Sequence, residues 1–467
     1  MKELAALPAR DSTLRLPQAR SLCAIAIASW LFVVALQVWW PTVPHWPLRV
    51  GLALLAATTL RHLWKERPQL LLSPLLILPA IIVTFYSVLP AAYLSLDLFP
   101  HYIRPLFRWA VEKYPSSLAE LIVLQFASSL LVIVLALHVY LPAPSPTERT
   151  QPSRSKEATT LFILIALVAL LTARSLSPEL QQWMQSGIGR QIADGAPPAL
   201  SLCIAVLIWL ATQDRSWRFI SVSAAGVGCA ALFTFFNAKP SAFIAVSSLL
   251  LWLTYQRYSL RRLWWSAVSA LGVISISVLA LAELRAAPAE AGPPPGVADV
   301  IVGKLLARQT ETLGCFSNAV DRRLLAPPQH SPLYFVSAVV PRVLWSGKPN
   351  LSQGDLFATD YCDMDAGSVS GGGSVHSASV TLLGEPVIAA GLGGLIVAQL
   401  SLMISLGLLS MLCLRSGAIG TITLTALLPW LADFDQSLAL YFAGAVKAFL
   451  YISPGVFLLA WSDRRTG

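Results

Sequence analysis

The chain has 467 residues, 56% hydrophobic and only 12% charged, with a mean hydropathy of +0.66, whereas a soluble domain carries about 25% charged residues. That balance excludes an ordinary soluble protein and makes the bilayer the relevant solvent. The net charge of +9 comes from Lys and Arg in short patches between apolar runs, as orientation signals are, so no basic domain for nucleic acid exists.

A spanning helix needs roughly 20 apolar residues because its backbone polar groups must be satisfied internally. Lys2, Arg10, Arg15 and Arg20 precede the first apolar run, Ser21–Trp40, which is too long for a signal-peptide core and lacks a cleavage site; it is expected to be a retained helix. Further spans are expected at Pro47–Leu63, Leu70–Ser95, Leu118–Leu141, Thr159–Leu176, Pro197–Thr212, Phe219–Asn237, Ser241–Tyr255 and Trp264–Leu284, then at Pro386–Leu414, Ala418–Ala432 and Leu438–Trp461. The fold class is therefore an all-α, polytopic membrane bundle of about twelve helices. It divides into a bundle of about nine helices over 1–284, a large exoplasmic loop over 285–385 between helices nine and ten, and about three helices over 386–467.

With a cytoplasmic N-terminus, the inner loops carry eighteen Lys and Arg, from Lys2 to Arg465, and the short outer loops only Arg104, Arg108, Lys113, Arg190 and Lys239. This asymmetry puts both termini in the cytoplasm and the long loop outside. Cys23, Cys203, Cys229 and Cys413 fall in apolar spans, while Cys315 and Cys362 lie in the loop, either bridged in an oxidising compartment or as two thiols. Within the bundle Glu120, His138, Arg174, Glu283 and Lys447 stand out. Glu120, Arg174 and Glu283 lie near outer helix ends, where snorkelling suffices, whereas Lys447 is deeper, and Asp433 or Asp435 is expected to pair with it or with a polar substrate path.

About a hundred outer residues between two spans need a reason beyond connection. After the spacer Ala287–Gly296, residues Val300–Leu324 have helical periodicity. Val302, Leu305, Leu306, Leu313, Phe316, Val320 and Leu324 lie on one arc, and Lys304, Arg308, Glu311, Cys315 and Arg322 on the other. The expectation is an amphipathic helix on the membrane surface or the crown, basic face upward. In Ser337–Asn350, Pro341 breaks an apolar stretch and Arg342 and Lys348 bracket Trp345. Arg offers a bidentate fork for phosphate oxygens and Lys a movable point charge; an interfacial Trp with snorkelling cations is the bland reading. Gly367–Ser379, holding His376, is either a mobile lid or an anion cradle. Glu385 opens span ten, where it either caps its own helix or serves as a base. The loop carboxylates lack the spacing of a calcium loop, and no zinc or dinucleotide motif is present, so neither a metal nor another cofactor is expected.

At PRVLWSGKP (Pro341–Pro349) and SASVTLLGEPVIAAGLGG (Ser377–Gly394) the chain resembles the Wzy-like O-antigen and oligosaccharide repeat-unit polymerases of bacterial inner membranes. The resemblance implies a glycosyltransferase that polymerises glycan repeat units carried on undecaprenyl pyrophosphate, which is both donor and acceptor, with a chain-length regulator as a further partner to look for. It implies Arg342, Lys348 and Arg308, with Lys239 as an addition, at the pyrophosphate, and Glu385 or His376 as the base. A glycan ligase using the same donor, or a flippase for a polar lipid, are the alternatives.

Overall fold

The computed structural model describes residues 16–39, 46–88, 117–140, 154–185, 187–214, 216–235, 238–256, 312–340, 345, 357, 360–362 and 380–464. Among them the regular structure is all helical. The principal helices are α1 (Leu16–Trp39), α2 (Trp46–Glu66), α3 (Pro74–Val83), α4 (Ser117–Tyr140), α5 (Arg154–Leu176), α6 (Pro178–Trp183), α7 (Gly187–Gln213), α8 (Arg218–Phe235), α9 (Ala238–Gln256), α10 (Thr381–Arg415), α11 (Gly417–Leu431) and α12 (Leu438–Arg464). Residues 312–323 add a further helix and Val336–Val339 a single turn.

Six of these, α1, α4, α7, α8, α10 and α12, are long and apolar enough to cross a membrane. Shorter apolar helices run over Pro74–Val88, Ala158–Arg174, Phe243–Tyr255 and Gly417–Leu431. The expected ninth span, Trp264–Leu284, lies outside the described residues, as does the spacer Ala287–Gly296.

Helix α7 packs against α5, α8, α9, α11 and α12, while α4 packs against α1, α2, α3 and α10. One continuous apolar core joins the two groups, with Leu75, Phe126, Leu130, Leu207, Leu382 and Leu427 among its members. Ser73 and Ser410 share a hydrogen bond of 2.8 Å, which ties the start of α3 to the far end of α10.

Two charged pairs join helices far apart in the chain. Glu120 does not snorkel: it is 5% exposed and takes both Nε and Nη2 of Arg49 in a bidentate pair between α2 and α4, the second contact 2.6 Å. A planar guanidinium matches two carboxylate oxygens, and that match offsets removal of both ions from water. Lys447 pairs with Asp194 on α7 instead of with Asp433 or Asp435, and one turn on Tyr451 donates to Gln191 at 2.8 Å.

Helix α10 is two pieces. Ala390 (φ −143°, ψ 19°) and Gly391 (φ 58°, ψ −141°) leave helical geometry and separate 381–389 from 392–415. A Cβ at Gly394 would lie 2.1 Å from the Pro386 carbonyl oxygen. Those residues would be about 12 Å apart along a straight helix, so the first piece folds back on the second. Beyond the break, Leu392, Ile396, Leu400, Ile404, Leu408 and Leu412 are each 47–60% exposed. At a spacing of four they form one apolar stripe about 30 Å long, the thickness of a hydrocarbon core. All of 381–391 is buried instead. The bilayer-facing part of α10 thus begins at Leu392, and the piece carrying Glu385 sits at the end of the bundle, in a crown built with residues 312–340.

The crown differs from expectation over 312–323, the described part of the expected helix. There the buried side is broader than the expected arc, although Asp321 and Arg322 stay exposed; 300–311, with Lys304, Arg308 and Glu311, lie outside the described residues. Leu313, Phe316 and Val320 enter the main core, and Cys315 and Ala319 enter a second cluster with Phe357, Tyr361, Cys362, Val380 and Ile388. Cys315 and Cys362 are bonded as a disulfide across 47 residues, which turns what looked like the polar side into a second apolar contact. The Val336–Val339 turn ends at Val340 in an extended conformation (φ −69°, ψ 123°), as a residue before proline must.

Candidate functional site

The end of the crown is assembled from two helix starts and one connection. Helix α10 begins at Thr381, whose φ of 73° places a β-branched residue in a strained backbone region. Its hydroxyl oxygen accepts from the amides of Leu383 (3.3 Å) and Gly384 (3.2 Å), and the Leu382 amide donates to the Phe434 carbonyl at 3.0 Å. These bonds satisfy amides that a helix start otherwise leaves open. Phe434 belongs to the connection 432–437 between α11 and α12, which also holds Asp433, Asp435 and Ser437, all buried.

Glu385 is one turn further into α10 and 4% exposed. It does not cap its own helix. Its Oε2 accepts the backbone N–H of Ala439, in the first turn of α12, at 2.9 Å, so the carboxylate is anchored on the positive end of a neighbouring helix. The hydroxyls of Ser437 and Tyr334 stand close enough to act on the carboxylate. Both are nevertheless buried oxygens that complete no hydrogen bond among the described residues. Burial, with the carboxylate adding to it, raises the Tyr334 phenol well above its ordinary value, so it stays a neutral donor.

The ring of Tyr334 is fixed by its neighbours. It meets Phe335 edge-on at 6.0 Å, and Phe335 stacks on Phe442 of α12 at 5.1 Å. Below the break, the Leu392 amide donates to Leu324 O at 2.8 Å, and Gln329 and His330 amides donate to Ala389 O at 2.9 and 2.8 Å. The carbonyl and amide freed by the kink are thereby satisfied by the 324–330 segment.

Of the residues expected from the sequence to bind substrate or act as base, only Glu385 has a described side chain in this arrangement. Arg342, Lys348, Arg308 and His376 lie outside the described residues, and Lys239 is in the first turn of α9 with its side chain outside them too. Trp345 is 40% exposed. The sequence reading missed Tyr334, Ser437 and Thr381. Ser437, a serine directly before an apolar helical run, carries a start signal that was there to find; Tyr334 carries none. Among the described residues no three His, Cys, Asp or Glu gather as a metal site would require. Compared with protein-family models, curated proteins and solved structures, the chain finds no match in any of the three.

Proposed function

We propose that the protein is a lipid-linked oligosaccharide polymerase, a glycosyltransferase that joins glycan repeat units carried on undecaprenyl pyrophosphate at the outer face of a bacterial inner membrane. The observation that carries the reading is the placement of Glu385. It is a buried carboxylate held on the start of α12, on the folded-back piece of α10 and within the motif that resembles the polymerases. The topology that goes with it has about twelve spans, both termini in the cytoplasm and the loop over 285–385 outside. The Cys315–Cys362 disulfide supports an outward crown, because such bonds persist in oxidising compartments.

The acceptor sugar hydroxyl attacks the anomeric carbon of the growing chain, and the bond to the pyrophosphate oxygen breaks with its electron pair leaving on undecaprenyl pyrophosphate. That leaving group needs charge stabilisation more than protonation, so Arg342, Lys348 and Arg308 belong there, with Lys239 as an addition. The hydroxyl proton passes to Glu385, with His376 as the other base of suitable chemistry. The test is reconstitution of the full chain with lipid-linked oligosaccharides taken from cells lacking it. A ladder without nucleotide sugar or ATP is the expected result. A single transfer to a lipid A core would make it a ligase, and flux across vesicles without covalent change a flippase.

A further inference from the structure

Three elements distant in sequence meet here: Glu385 on the folded-back piece of α10 accepts the Ala439 amide at 2.9 Å, two residues past Ser437 at the start of α12, and Tyr334 of the 331–335 turn is held beside α12 through Phe335, which stacks on Phe442. Ser437 is only 7% exposed. A buried hydroxyl that completes no hydrogen bond destabilises the fold, and native proteins retain such groups where something else completes them. Two stand here around one carboxylate.

The chemistry of the set discriminates among ligands. A carboxylate only accepts hydrogen bonds, whereas a phenol and an aliphatic hydroxyl both donate and accept. An alcohol fits all three, donating its proton to Glu385 and accepting from Tyr334 or Ser437. A phosphate does not, because the buried carboxylate repels it. The rigid packing of Tyr334 against Phe335, and of Phe335 against Phe442, holds the phenol at a set position.

We propose that Glu385, Tyr334 and Ser437 form the subsite for the incoming sugar hydroxyl, with Tyr334 and Ser437 as positioning residues. The assignment rests on the polymerase reading and adds to it where the neutral acceptor sits. It also accounts for the strained Thr381, whose φ of 73° starts the piece that carries Glu385 into this position.

The test uses the reconstituted full chain and the lipid-linked oligosaccharide that accumulates in cells lacking it. Tyr334→Phe keeps the ring and Ser437→Ala removes one oxygen. Each raises the concentration for half-maximal chain extension about tenfold, the worth of one hydrogen bond, while the saturated rate stays within about twofold and the thermal midpoint of Ser437→Ala is at or above that of the parent. Half-saturation unchanged in both variants overturns the assignment, as does earlier unfolding of Ser437→Ala, which would make its hydroxyl structural. A parent protein that yields no ladder removes the polymerase reading itself, and is told apart by being seen before any variant is made.

Discussion

Glutamine and alanine at position 385 separate the two things that carboxylate does. Glu385→Gln keeps an oxygen to accept the Ala439 amide but has no basic oxygen, so its unfolding stays within about 0.5 kcal/mol of the parent while chain extension falls by about 100-fold or more. Glu385→Ala loses both, and is less stable by about 1–2 kcal/mol, because the start of α12 loses its acceptor. A glutamine variant that polymerises within about threefold of the parent would leave Glu385 a cap and nothing else. The Arg49–Glu120 pair gives a second contrast. Arg49→Ala strands a carboxylate whose side chain is 6% exposed and destabilises by about 3–5 kcal/mol, whereas Arg49→Ala with Glu120→Ala is the milder change, both read by thermal unfolding. At this scale the sequence marks Glu385 through its motif but cannot name Ala439 as its partner. It likewise points Lys447 at the aspartates nearest in the chain, when the partner is Asp194, 253 residues away. Contacts between elements so far apart leave no local pattern.

The apolar periodicity of Leu392–Leu412 makes a spanning helix legible, but not that the eleven residues before it turn back. What hides the turn is that both pieces are apolar and the glycines at 391, 393 and 394 read equally well as close packing. Gly391 is needed for its backbone: φ is 58°, and a Cβ there would approach the carbonyl oxygens of Leu324, Ala326 and Arg323 at 2.9, 3.1 and 3.2 Å. Gly391→Ala is therefore destabilising by about 1–3 kcal/mol from backbone strain, before any displacement of that segment. It lowers chain extension as well, since it moves the piece carrying Glu385; an alanine variant with an unchanged melting midpoint contradicts the kink. Cys315 is hard to place for a related reason, because a cysteine on the polar arc of 312–323 reads as exposed. Bonded to Cys362 it becomes core, and the bridge closes a loop worth about 4 kcal/mol in the chain-entropy model. Cys315→Ser with Cys362→Ser should lose a stabilisation of that order, measured as a lowered unfolding midpoint that matches the parent under reducing agent.

For the whole molecule, composition and charge bias make the membrane class legible, since neither depends on which residues touch. The orientation proposed here rests on two independent lines, the excess of Lys and Arg in one set of loops and a disulfide at the other end of α10. They agree only if the turn at Ser416, joining α10 to α11, is cytoplasmic while the crown is exoplasmic, and labelling checks this directly. Leu325 in the crown is 88% exposed and Ser416 is exposed at the opposite end of the stripe. A cysteine placed at Leu325 should react with a membrane-impermeant maleimide added to intact cells, and one at Ser416 only after the membrane is opened. The native free cysteines Cys23, Cys203, Cys229 and Cys413 are half-buried or buried, so background reaction is low. Labelling at Ser416 from outside would invert the molecule. It would set Glu385 on the cytoplasmic side, where polyprenyl-linked units have not yet been flipped, and the acceptor subsite would lose its substrate along with its compartment.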